Sequence, residues 1–86
     1  MNDAEIKEII KNVANNNVGF EFLKLMLDRL GAFEKGVNFK DMNLDMFNRG
    51  RREQGIWLLE LIRESNFNKF IEIQKQRSNG KWTTQN

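Results

Sequence analysis

Apolar residues return every three or four positions along most of this chain, and no proline interrupts them. That spacing builds one face of a helix, whereas a half-buried strand would alternate residue by residue. The interruptions are asparagine- and glycine-rich: Asn15 to Asn17, Gly31, the stretch "EKGVNFKDM" at 34–42, and "SNFN" at 65–68. At 86 residues the chain has room for one domain. The pattern predicts an all-α fold, a small bundle of about four helices with the second and third central. One helical domain is expected over 1–77, followed by a C-terminal tail over 78–86.

The first helix is expected over "AEIKEIIKNVA", with Ile6, Ile9, Ile10 and Val13 as its apolar stripe. Asn2 and Glu5 have capping-box spacing, and the asparagines at 15–17 break the pattern and offer a cap to the next helix. The second helix, "VGFEFLKLMLDRL", is apolar nearly all round, with a polar face of only Glu21, Lys24 and Asp28. A helix of that kind belongs in the core. Gly31 suits a left-handed stop, from which Phe33 folds back. Val37 and Phe39 are expected to pin the following loop. A third helix is expected from about Leu44 to Glu64, and a fourth over "FNKFIEIQKQR" with Phe67, Phe70, Ile71 and Gln74 on one face.

Composition removes several classes of function. There is no cysteine, hence no disulfide framework or thiolate chemistry, and no histidine, the commonest general base and metal ligand. No catalytic motif and no calcium-loop motif is present, so neither a cofactor nor a metal is expected, and the chain is read as not an enzyme. No apolar run is long enough for a membrane span. The start "MNDAEIKEII" is polar and acidic, unlike a signal peptide, which places the chain in the cytoplasm or in an assembly made there. Net charge is only +2, with eight basic and five acidic residues over 43–86. A dedicated duplex binder usually carries a stronger basic footprint.

The stretch "FNRGRREQGIWLLEL" at 47–61 holds three arginines in four positions. On a helical wheel at about 100° per residue, with Phe47 at zero, Arg49, Arg52 and Arg63 fall together near 140–200°. Glu53, Glu60 and Glu64 lie beside them near 220–260°, so this face is charge-balanced, with pairs at helical spacing. Arg49, Arg52 and Arg63 are the candidates for phosphate contact. Arg51 falls near 40°, among Phe47, Leu58 and Ile62. A charge there must be paired, because an unpaired buried charge costs several kcal/mol. Either its guanidinium reaches an acid or helix-end carbonyls within the domain, or it lines a contact with another subunit; Arg29, likewise beside Phe22 and Leu25 on the second helix, is a candidate for a shared polar cluster. Gly50 and Gly55 also fall on the apolar side. Glycine there costs about 1 kcal/mol against alanine, so both are expected to admit a close backbone, in preference to serving a hinge or an oligomer contact. Trp57, with Ile56 and Trp82, is a candidate partner-binding patch, tryptophan being common in interface hot spots.

"FNRGRREQGIWLLELI", preceded by "FLKLMLDRLGAF" and followed by "FNKFIEIQKQ", resembles a family of small helical proteins of tailed bacteriophages, encoded beside the portal and capsid genes of short-tailed phages. The matching positions are Phe22, Leu23, Leu30, Gly31, Phe33, Phe47, Gly50, Arg51, Arg52, Gly55, Leu58 and Leu59, over roughly residues 18–77. The Gly-Arg-Arg core carries most of the specificity. The resemblance implies a non-enzymatic virion or assembly protein of the head, portal or tail module. Such a protein would be found in the virion, and in the host cytoplasm during assembly. Its expected partners are a larger phage structural protein, whether portal, tail or capsid, and further copies of itself. The alternatives are a small nucleic-acid-binding protein on packaged DNA and a regulator of a host protein anchored by Trp57 or Trp82.

Overall fold

A computed structural model describes residues 1–33 and 42–80, with only the backbone described for 42–45. Val37, Phe39 and Trp82 lie outside the described residues. Four helices follow one another: α1, Asp3–Asn15; α2, Asn17–Arg29; α3, Met42–Ser65; and α4, Phe67–Ser78. No strand occurs among the described residues, so the fold is the expected small all-α bundle. None of the described helices is long and apolar enough to cross a membrane.

Asparagine opens three of the helices. Asn2, Asn16 and Asn66 each present a side-chain oxygen to an amide three residues on, at 2.8 Å from Glu5, 2.9 Å from Gly19 and 3.3 Å from Lys69. Each such bond satisfies one of the amides that a helix start leaves without a partner. Asn66 has a second use. Its Nδ2 donates to Asn15 Oδ1 at 2.9 Å and to the Lys11 carbonyl at 3.4 Å, tying the start of α4 to the end of α1. α2 ends as the sequence suggests. Gly31 sits at φ 69°, its amide bonds the Asp28 carbonyl, and the Ala32 amide bonds the Leu27 carbonyl. These are the paired bonds of a Schellman stop, which requires a residue that tolerates positive φ.

The core is built mainly from the two middle helices. Phe20, Leu23 and Leu27 of α2 meet Leu58 and Ile62 of α3, joined by Ala14, Ala32 and Ile73. α3 touches all three other helices, and α2 supplies more buried core residues than α1 or α4, so the second and third helices are central as expected. The corner between α1 and α2 is tight. A Cβ at Gly19 would collide with the Val13 carbonyl oxygen and lie 2.9 Å from Val13 Cγ1.

Two helices bury different faces from those expected. In α4 the fully buried residue is Ile73, with Phe70 packed beside it, while Phe67 is exposed and stacks on Phe70 with ring centroids 6.0 Å apart. In α2 the difference is larger. Lys24, expected on the polar face, is 1% exposed, whereas Phe22 and Leu25 on the far side are 55% and 43% exposed. Phe20, Lys24 and Leu27 share one side of the helix at i, i+4, i+7 spacing, and α4 lies across it. The side chains bridging that gap are polar or cationic. Lys24 Nζ donates to Gln76 Oε1 at 2.8 Å and pairs with Glu21 at 2.9 Å. Lys69 Nζ lies 4.8 Å from the Phe20 ring centroid, and the Arg77 guanidinium 3.8 Å from that of Phe33. A lysine is tolerated in this interior because its ammonium has both an anion and an amide oxygen to donate to.

Candidate interaction surface

Arg51 departs from its two neighbours. It lies partly buried on α3, and its Nη1 donates to the Arg29 carbonyl, the last of α2, at 2.7 Å. Helix-end carbonyls lack intrahelical donors and carry the negative end of the helix dipole, so a guanidinium there is favourable twice over. Of the two readings open for Arg51, the structure has the one within the domain. Arg49 and Arg52 are exposed, as is Arg63 further along the helix. The "RGRR" run is therefore split: one side chain turns to α2, and the others face water.

The two glycines behave differently. A Cβ on Gly55 would sit 3.0 Å from the Ala32 amide nitrogen and 3.1 Å from both carbons of Ala32 nearest it, so α3 passes directly against the Gly31 turn. That is the close approach expected. At Gly50 the expectation fails. The residue is exposed and a Cβ there would have no neighbour within 4 Å. Met46 and Phe47, further towards the start of α3 and past the end of α2, are exposed too.

Trp57 is exposed beside a shallow groove between α1 and α3, lined by Asp3, Lys7, Trp57, Glu60, Leu61 and Glu64. Lys7 and Glu64 form an ion pair across it at 3.5 Å, with both side chains solvated. In such surroundings the pair adds little stability. Ile56 is partly buried on the neighbouring face, so the patch expected of Trp57 with Ile56 reduces here to the tryptophan and its acidic groove.

Sequence reasoning missed the exposed stripe of α2. Val18, Phe22 and Leu25 fall on one side of the helix, and Val18 is 79% exposed. The signal was present as spacing: 18, 22, 25 and 29 step by four, three and four, the pattern of a coiled-coil seam. It was hidden because α2 carries apolar residues on its other faces as well. Two further cations of the basic C-terminal half, Lys69 and Arg77, are engaged within the domain, Lys69 with Glu72 at 3.1 Å and with Phe20, and Arg77 over Phe33. Comparisons with protein-family models, with curated proteins and with solved structures returned no match.

Proposed function

We propose that this chain is a non-enzymatic bacteriophage protein of the head, portal or tail module, a virion component or assembly factor. It acts by packing helix faces against itself or against a larger phage structural protein. The observation that carries this reading is the exposure of Val18, Phe22 and Leu25 on α2, while the lysine of the same helix is buried. Exposed apolar residues arranged as a stripe, unlike scattered ones, mark surfaces that another chain covers. Trp57, above its acidic groove, is a second anchor of the type that dominates binding energy at interfaces. The Gly-Arg-Arg resemblance points to the phage module.

Mass spectrometry of purified particles tests the location. Peptides of this chain in the particle, at a fixed ratio to portal or tail protein, are expected. Their complete absence reduces the proposal to an assembly factor, and particle formation unaffected by deletion of the gene removes it.

A second reading, contact with packaged DNA, rests on Arg49, Arg52 and Arg63, which are exposed along one side of α3. It predicts binding to duplex DNA that falls steeply with salt, by about one phosphate contact per arginine engaged. No binding in low salt eliminates it.

A further inference from the structure

We propose that the Val18–Phe22–Leu25 face of α2 is the seam of a homodimer, closed by the same face of a second copy in antiparallel register. The inference deepens the reading of this chain as a helix-packing protein and rests on it.

Three observations carry it. The first is the inversion of α2: Lys24 is 1% exposed and Val18 79% exposed on one thirteen-residue helix. An isolated domain gains more by burying the aromatic and aliphatic side chains and leaving the lysine in water. The opposite arrangement is favourable once a second chain covers the far face. The second is register. Val18, Phe22, Leu25 and Arg29 occupy successive seam positions. A two-fold axis between Phe22 and Leu25 sets each Phe22 against the other copy's Leu25, and each Val18 against the other's Arg29.

The third is charge. In the antiparallel arrangement the aliphatic stem of Arg29 covers the opposing Val18, and its guanidinium comes within reach of the opposing Glu21 one turn away, a carboxylate that stays half in water while pairing with Lys24. A parallel pair instead stacks Arg29 on Arg29, a like-charge contact. The stripe offers roughly 300 Å² of apolar surface per copy, near the size of the largest patch on an ordinary monomer. Two such patches bury roughly 600 Å², and the flanking Glu21 and Arg29 bring the contact towards the lower bound of stable interfaces, about 1,200 Å². The dimer is therefore weak and concentration-dependent, with dissociation in roughly the micromolar range.

Light scattering of the full chain from about 1 μM to about 1 mM reads the dimer directly. The mass is expected to rise from 10.2 kDa to twice that. Phe22→Glu is expected to hold it at the single-chain mass with the helical circular dichroism unchanged, since Phe22 lies outside the core. The chain has no cysteine, so register can be trapped chemically. A mixture of Val18→Cys and Arg29→Cys chains is expected to form the mixed disulfide. Two Val18→Cys chains are not expected to link, because antiparallel seams place those positions about 16 Å apart along the axis. A single-chain mass at every concentration overturns the proposal, as does a dimer indifferent to Phe22→Glu. Preferential Val18→Cys homodimers overturn the antiparallel register. A monomer in solution that is nevertheless found in purified particles sinks this inference and leaves the virion role standing.

Discussion

At the scale of single residues, two glycines five positions apart in α3 have opposite reasons to be there. Gly55 is pressed against Ala32, so Gly55→Ala should force the turn after α2 away from α3 and lower stability by about 1–3 kcal/mol in urea unfolding. Gly50 faces open space, so Gly50→Ala should raise stability by up to about 1 kcal/mol, the ordinary gain of alanine in a helix interior. Both glycines belong to the motif that suggested a phage family, and their wheel positions alone do not separate them. What separates them is where α2 stops, a tertiary fact set by Gly31. Arg51 was better constrained, because an arginine among leucines has few satisfactory outcomes. Arg51→Met should lower stability by about 1 kcal/mol through loss of its bond to the Arg29 carbonyl. Arg52→Met, on the solvated side, should change it by no more than about 0.5 kcal/mol. Equal losses from the two substitutions would contradict the division of roles between these neighbours.

At the scale of elements, the helices and their ends were legible because they depend on local chemistry. Asparagine caps and a glycine stop act over three or four residues, and the sequence displays them at Asn2, Asn16 and Gly31. Which face each helix buries was less legible. α2 has apolar residues on almost every side, so a wheel offers no single inward direction, and the buried face is set by the neighbours that pack against it. α4 docks on the Phe20–Lys24–Leu27 side, and a lysine is enclosed with Glu21 and Gln76. Gln76→Leu removes an oxygen acceptor from that ammonium and should destabilise by about 1–3 kcal/mol. Lys24→Met keeps the volume and removes the charge, so it should be close to neutral. The double variant should recover most of the Gln76→Leu loss, a coupling that a double-mutant cycle of denaturation midpoints measures. Additive effects would mean that the lysine and glutamine do not depend on one another.

At the scale of the whole molecule, the fold is thin, 41 × 34 × 17 Å, about two helix layers deep. A chain of this length encloses a small core, and its stability alone is modest. Association through α2 therefore adds a visible share. The melting temperature should rise with protein concentration, by several degrees over a hundredfold range, and Phe22→Glu should abolish the dependence. A melting temperature independent of concentration in the unaltered chain would contradict association of the folded state. One feature of the helix starts bears on how this molecule meets acid. Their caps at Asn2, Asn16 and Asn66 are carboxamides, which gain no proton where carboxylates do. Acid therefore leaves the three side-chain bonds that open α1, α2 and α4 in place. The far-ultraviolet helical signal should therefore survive acidification, and its loss on acid titration followed by circular dichroism would show that these rods lean on more than their carboxamide ends.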